Sequence, residues 1–445
     1  MPLGFFISLL FPLPLLNCWF EVTQTLFIEE VLRCLCLSII WCTMPSTYLS
    51  FRCSVPWLIL SLEAVFIVLI YFLFSDQYAL LYYTDLQDVS HMLIFGFGFF
   101  LTFLKRYGFS SVGFNLLIIV LGVQCSILME NVSVFPTERT VEDVFRITGA
   151  AMSVVAVVIS IGAVLGKINP MQSIVMTVVE IIVFRMSRWI NMHVLKVSYH
   201  VCMMHVHLFG AYFGLAVSSR FPEPSLRAEK NGSTSKSDLL SMLGTLFLWV
   251  FWPSFNSVLA SEKNKLIFNT YLALAVSAVT AFALSGLITK DGKFRMTHIH
   301  SAALAGGVAI GYAADIIEYP WIAMILGLLA GVISTLGSFC LQGCLNPTLK
   351  IHDASGVHFT FGLPAVFGAL ARVLFCVLEI QTKSPSIGHE VAMSIGAFCF
   401  TISAALITGL ITGLILNLKL LKPIPVSKYF EDQVYWEFPH LAVGF

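Results

Sequence analysis

Charged residues are scarce in this chain of 445 residues, where Asp, Glu, Lys and Arg together make up only 11%. A soluble globular domain carries about a quarter charged residues, so this composition excludes an ordinary soluble protein. Basic and acidic residues balance at 25 each and the formal net charge is zero. Without a basic block, nothing in the sequence supports nucleic-acid binding.

Motifs of the common catalytic and energy-coupling machineries are also missing. The sequence has no G-x-x-x-x-G-K-[ST] loop, no H-E-x-x-H pair and no nucleophile elbow. These absences argue against a pump with its own ATPase and against a zincin-type protease, so we expect neither an enzyme nor a cofactor. The eleven cysteines are scattered without a C-x-x-C pair or zinc spacing, which makes them packing residues rather than metal ligands.

Apolar residues are abundant, at 58% of the chain. They form recurring runs of about 17 to 25 residues, each long enough to cross a hydrocarbon core. The sequence therefore predicts an all-α polytopic membrane protein with about twelve transmembrane helices. The predicted spans are 54–74, 89–104, 112–129, 147–166, 170–184, 199–217, 239–260, 268–288, 297–314, 320–340, 358–380 and 391–417.

A polar stretch at 218–238 is the natural linker between two sets of spans. It separates a first half, 44–217, from a second half, 239–417, which a tail at 418–445 follows. Residues 1–43 are apolar but rich in proline, and Met44 with its polar continuation resembles an ordinary start, so we interpret 1–43 as an extension outside the core fold. Two halves with similar numbers of spans suggest pseudo-symmetric structural repeats with a substrate path between them.

The distribution of Lys and Arg predicts the orientation. Loops on the same side as the linker carry more basic residues than the opposite loops, and the first opposite loop, 75–88, carries none. By the positive-inside rule the linker and both core termini are cytoplasmic. Asn131, in an N-x-[ST] sequon, then lies outside as a possible glycosylation site, whereas the sequon at Asn231 lies in the cytoplasmic linker.

Three histidines occur inside a single predicted span. His200 and His207 are seven residues apart and share one face of a helix, whereas His205 faces the other way. An ionisable group at membrane depth is costly and usually faces a bundle interior or a transport path, although hydrogen-bonded packing is the plainer alternative. Small residues that let a neighbouring helix approach closely follow, namely Gly210, Ala211 and Gly214.

A second polar group stands at the beginning of the eleventh predicted span. His352, Asp353 and His358 lie at a membrane boundary just before a glycine and a proline at 362 and 364. If the two halves are related, this group is the counterpart of the histidines in the sixth span.

Several stretches resemble the Rh branch of the ammonium transporter/Rh superfamily. They are FLKRYGFSSVGFN at 103–115, GAVLGK at 162–167, HLFGAYFGL at 207–215, GTLFLWVFWPSFNSVL at 244–259 and HIHSAALAGGVAIG at 298–311. The ending KYFEDQVYWEFPHLAVGF at 428–445 resembles the Rh blood-group polypeptides of the D/CE type. The resemblance extends from about residue 50 to the end of the chain.

The resemblance implies a trimer of helical bundles, each with its own narrow apolar pore. In conducting members, ammonium passes phenylalanine gates, loses a proton and is guided by a pair of histidines. Imidazole suits this task because a neutral ring both donates and accepts hydrogen bonds without placing a fixed charge in the membrane.

Carried over residue by residue, the resemblance places the first pore histidine on His207 and the inner phenylalanine gate on Phe255, and both are retained. The second pore histidine falls on Phe361, the aspartate of the outer vestibule on Tyr199, and the outer gate on Met152. The histidine pair is therefore broken, and we expect ammonium conduction to be weak or lost, although neutral NH3 or CO2 could still leak through. His358, one helical turn from Phe361, is a conceivable substitute.

Two functions remain open at this point. One is a conducting ammonium/ammonia channel that uses His207. The other, which the altered pore favours, is an assembly subunit of the plasma membrane that joins a trimer with an Rh-associated glycoprotein and is linked to ankyrin and the cytoskeleton through its tail. The resemblance also includes an acylation signal that here reads Cys53-Ser54-Val55-Pro56, with one extra residue, so Cys53 is either acylated or an unmodified packing residue.

Overall fold

The structure is a computed structural model that describes residues 54–73, 83–131, 143–224, 230, 232–289, 291–341, 351–383 and 387–438. The predicted extension 1–43, the acylation candidate Cys53 and the linker sequon at Asn231 lie outside these residues.

Helices make up all the regular secondary structure in the described ranges. In chain order they are α1 Val55–Leu73, α2 Tyr83–Phe103, α3 Gly108–Asn131, α4 Asp143–Val164, α5 Pro170–His193, α6 Tyr199–Ser218, α7 Ser235–Ser257, α8 Lys263–Ile288, α9 Met296–Ile310, α10 Pro320–Leu336, α11 Leu363–Lys383 and α12 Ile387–Leu416. A π-helical turn, His358–Gly362, leads directly into α11. Short 3-10 turns follow α12 in the tail, at Lys419–Leu421, Val426–Lys428 and Asp432–Val434.

Each predicted span corresponds to one of these helices, which confirms the all-α membrane fold. Ten of the spans among the described residues are long and apolar enough to cross a membrane on those criteria alone. The exceptions are α9, with only 15 residues, and α5. Helix α5 begins with a capping box between Asn169 and Gln172 and continues to His193, beyond the predicted end at 184, while burying polar side chains such as Glu180 and Arg188. The polar side chains of α5 face the interior of the bundle. They lower the mean hydropathy of the helix, which explains why hydropathy gives only a weak signal for α5 as a membrane span.

Helices α4 and α6 lie at the centre of the bundle and pack closely against each other. A Cβ atom built on Gly210 would lie 2.3 Å from the carbonyl oxygen of Ala156. One built on Gly214 would lie 2.6 Å from the Cα of Ser160. The glycines therefore let two helix backbones touch, as the sequence predicts for this small-residue stretch.

The helix contacts repeat in two sets of four. In the first set α3 packs on α4 and α5, and α4 packs on α6. In the second set α8 packs on α9 and α10 in the same way, and α9 packs on α11. Helices α2 and α7 pack on each other between the two sets, and α12 lies against α5, α6 and α11. The division into halves at 44–217 and 239–417 stays a prediction, because the repeated contacts involve only four helices of each half.

The tail folds back onto the linker side of the bundle, meaning the end at which residues 218–224 and 232–234 lie. The Asp432 carboxylate accepts hydrogen bonds of 2.8 and 2.9 Å from two backbone N–H groups at the start of α3. The indole N–H of Trp436 donates to the Ser110 hydroxyl at 2.9 Å. Lys230 of the linker forms an ion pair with Glu431. Linker, tail and α3 are thus held together at one end of the bundle.

Candidate functional site at the centre of the bundle

His207 lies on α6 with its side chain fully buried. Its Nδ1 lies 3.2 Å from the backbone carbonyl oxygen of Met204. A carbonyl can only accept, so Nδ1 carries the proton, and a neutral ring then presents Nε2 as an acceptor. Within the described part of the chain, Nε2 has no hydrogen-bond partner. Leaving an acceptor without a partner in a dry interior costs free energy. Nε2 can therefore accept a hydrogen bond from a small donor molecule.

Aromatic rings from two other helices surround this imidazole. Trp252 and Phe255 of α7 have ring centroids 5.5 and 5.7 Å away. The ring of Phe361, in the π turn before α11, lies 6.4 Å away and nearly parallel, at 9°. Phe361 is only 2% exposed. At the position where the resemblance implies a second histidine, His207 therefore faces an apolar ring that neither donates nor accepts a conventional hydrogen bond.

Phe361 also fills the space on the linker side of His207. Its ring centroid lies 5.9 Å from that of Phe97 and 6.1 Å from that of Phe100, both in α2 and both about 1% exposed. The π turn that carries Phe361 closes with a hydrogen bond from the Leu363 N–H to the His358 carbonyl. Pro364 follows without an N–H group, and such interrupted turns are typical of functional positions in helices. Phe97, Phe100 and Phe361 together form what we call the aromatic plug.

His358 does not reach this centre. Its ring contacts are with Tyr212, at 6.0 Å, and Phe359, at 4.8 Å. Its backbone N–H donates to the Asp353 carboxylate at 2.9 Å, and that of Val357 donates to the other carboxylate oxygen, also at 2.9 Å. Asp353 therefore caps the start of the eleventh span. The contacts give no support to the idea that His358 substitutes for the missing pore histidine.

A buried lysine connects this cap to α4 and α6 at the linker side. Lys167 donates to the Ser218 hydroxyl at 2.5 Å and to the His352 carbonyl at 2.7 Å. Burial lowers the pKa of Lys167 to about 7, against the opposing attraction of nearby carboxylates. Burial likewise raises the pKa of the Asp353 carboxyl, and burial together with the Lys167 charge lowers the pKa of His352 to about 3. The sequence singled out His352 and Asp353 but missed Lys167, whose only signal is its place at the end of an apolar run.

The opposite end of the site differs from the vestibule that the resemblance implies. Met152 is fully buried in α4. Tyr199 begins α6, and the Arg188 guanidinium lies over its ring at 5.6 Å. Arg188 is almost completely buried, forms an ion pair with Glu130 and donates to the Ser153 hydroxyl at 3.1 Å. Where the family pattern has a carboxylate, this chain has an aromatic ring beside a guanidinium.

The other two histidines of α6 are hydrogen-bonded to neighbouring helices. His200 Nε2 lies 2.8 Å from the carbonyl oxygen of Asn256. His205 Nδ1 lies 3.2 Å from both the Asn191 amide and the Thr401 hydroxyl. These contacts agree with packing roles and leave His207 as the α6 histidine directed at the aromatic plug.

Sequence reasoning did not identify Trp252, Phe97 or Phe100. In the sequence they are three aromatics among many, since 13% of the chain is aromatic, and no local spacing marks them. Only the packing of α2 and α7 against the start of the eleventh span brings them together.

A bundle of apolar helices long enough to cross a membrane, with a buried imidazole at its centre, defines a polytopic membrane protein. Residues 57–434 match the family described as Ammonium Transporter Family, and this chain belongs to that family. Similar proteins include an "RH-like protein" of Macaca mulatta, 44% identical over 410 residues, which cover 89% of this chain and 98% of that protein. The "Blood group Rh(D) polypeptide" of Homo sapiens is 43% identical over 408 residues, covering 88% and 98%.

Solved structures show the same fold. The structure described as "Nitrosomonas europaea Rh50 and mechanism of conduction by Rhesus protein family of channels" aligns with a TM-score of 0.71 and 31% identity, covering 81% of this chain and 93% of that chain. A "Sensor Amt Protein" aligns with a TM-score of 0.63 but only 18% identity, covering 78% and 94%, and supports the fold alone. The resemblance to Rh proteins drawn from the sequence is therefore confirmed.

Proposed function

We propose that this protein is a plasma-membrane Rh-family subunit whose own path for ammonium is closed by Phe361. The contact between the His207 and Phe361 rings carries the proposal. A permeating ammonium ion would lose water without gaining a second imidazole, and an unmade hydrogen bond costs about 1–3 kcal/mol. Desolvating the charge itself costs several kcal/mol more. At the other end of the same path the Arg188 guanidinium, which is paired with Glu130, lies over the ring of Tyr199, and Tyr199 supplies no carboxylate to attract a cation.

The physiological role that we propose is assembly. The chain would join a homo- or heterotrimer with a conducting, glycosylated partner of the Rh-associated glycoprotein type and connect the membrane to ankyrin. The similarity to blood-group polypeptides supports this role. The folded tail supports it as well, because Asp432 and Trp436 hold a defined surface at the linker side. In the proposed orientation this surface and both core termini are cytoplasmic, and Asn131 at the end of α3 is outside.

Uptake of radiolabelled methylammonium by oocytes that express the full chain tests the closed path. We expect no uptake above that of water-injected cells for the native chain, and a gain in Phe361→His, which restores the imidazole. Phe361→Leu is the matched control, because it removes the ring without supplying a donor or an acceptor. Surface biotinylation would normalise each variant to the amount of protein at the plasma membrane.

A conducting channel that uses His207 alone is the second candidate. The unpaired Nε2 of His207 favours it, since this atom remains able to receive a hydrogen-bond donor. Clear uptake by the native chain that His207→Ala abolishes would establish this candidate and refute the closed path.

A further inference from the structure

The ring contacts of the aromatic plug continue to a fourth helix. Phe100 of α2, which contacts Phe361, has its ring 5.3 Å from the imidazole of His300 in α9, nearly edge-on at 67°. His300 is 6% exposed and lies one turn from the linker-side start of its helix. A continuous series of ring contacts thus runs from His207 through Phe361 and Phe100 to His300.

The two terminal imidazoles are held in the same way. His300 Nδ1 lies 3.0 Å from the Met296 carbonyl oxygen of its own helix, as His207 Nδ1 lies near that of Met204. In both rings the carbonyl fixes the proton on Nδ1, so Nε2 of the neutral ring is an acceptor. The backbone of α9 is anchored at this point as well, because the Thr245 hydroxyl donates to the His300 carbonyl at 3.3 Å. Two preorganised acceptors therefore stand on opposite sides of Phe100 and Phe361.

The surroundings of His300 suit a small cation. Asp238, in the first turn of α7, interacts electrostatically with His300. One oxygen of the Asp238 carboxylate is buried and has no hydrogen-bond partner in the described part of the chain. A carboxylate oxygen and an imidazole acceptor are groups that bind ammonium-type cations.

We propose that His300 is a linker-side binding residue for small hydrogen-bond-donating cations of the ammonium class, separated from His207 by Phe100 and Phe361. This inference rests on the proposed function, since it assigns the far end of the same path. The chain would then keep two imidazole acceptors but hold them apart, one on each side of the aromatic plug. The path is closed because the rings separate the two acceptors, even though both are present.

His298 offers a matched control on the same helix. It lies two residues from His300, is similarly buried at 9% exposure, and contacts Ser285 and Phe339 instead of the aromatic plug. In the Phe361→His background we expect His300→Leu to reduce methylammonium uptake at least fivefold, and His298→Leu to leave it within twofold. His300→Gln should keep most of the uptake, because its amide oxygen can still accept a hydrogen bond.

Accessibility tests the position of His300 without any need for conduction. His300→Cys and His207→Cys would each be labelled with 2-aminoethyl methanethiosulfonate in inside-out and right-side-out membrane vesicles, with the native chain as the background. Asp291→Cys, in the exposed loop before α9, reports full access from the linker side. We expect His300→Cys to be labelled from the linker side, and His207→Cys to be labelled from that side only when Phe361→Ala is also present.

The outcomes separate the two proposals. Lack of labelling of His300→Cys from the linker side, or equal uptake by His300→Leu and His298→Leu, would overturn the role of His300. Uptake by the native chain would instead refute the closed path, and the His300 and His298 variants would then be compared in the native background. If Phe361→His does not conduct, the labelling pattern still tests whether His300 is reached from the linker side, and lack of that access overturns the proposal.

Discussion

Two glycines that look alike in the sequence should respond in opposite ways to the same substitution. Gly210 in α6 and Gly98 in α2 both lie inside membrane-spanning helices. A Cβ on Gly210 would lie 2.3 Å from the Ala156 carbonyl oxygen, about 1.1 Å inside an ordinary contact of 3.4 Å (3.4 − 2.3). A Cβ on Gly98 would meet nothing within 4 Å. Gly210→Ala must therefore push α4 and α6 apart, whereas Gly98→Ala adds a methyl group to open space.

The expected magnitudes follow from these distances. Overpacking of a tight contact costs about 1–3 kcal/mol, and a backbone oxygen cannot move aside as a side chain can. Replacing an unstrained helical glycine by alanine stabilises by about 0.4–1 kcal/mol. Fluorescence-detected size-exclusion after heating in detergent would compare the two variants. We expect Gly210→Ala to unfold at a temperature lower by at least about 2 °C and Gly98→Ala at an unchanged or higher temperature. Equal changes in unfolding temperature for the two variants would refute the close approach of α4 and α6.

Two further predictions concern the linker side. The Lys167 pKa is about 7 in the folded chain and 10.5 in the unfolded chain. Between these two pH values the unfolded chain carries a proton on Lys167 that the folded chain lacks, so raising the pH favours the folded chain. The free energy of unfolding should therefore rise by up to about 1.4 kcal/mol per pH unit between pH 7 and 9, and Lys167→Met should flatten that slope in thermal-unfolding scans. Asp432→Ala should weaken the cap on α3 by about 0.5–2 kcal/mol and speed hydrogen exchange in the tail, whereas Gln433→Ala, an exposed neighbour, should not. A slope unchanged by Lys167→Met, or equal exchange in both tail variants, would contradict these assignments.

The sequence by itself determined the fold class, the helices and their order. Crossing a membrane requires a long apolar run in which the backbone satisfies its own hydrogen bonds, and both conditions are local properties of the chain. The glycines of α6 and the buried histidines could also be identified, since small and ionisable residues stand out against an apolar background. Helix α5 shows the limit of this reasoning, because its buried polar side chains shortened the predicted span.

Only the tertiary structure decided what surrounds His207. Trp252, Phe361 and Phe100 come from three different elements far apart in the sequence, and their rings meet because α2, α7 and the eleventh span pack around α6. The same holds for Arg188, which lies over Tyr199 from a different helix. A bundle that is apolar throughout leaves no sequence pattern to show which aromatic side chains face one another. Ring-to-ring contact depends on helix rotation and crossing, and those are fixed by packing of the whole bundle.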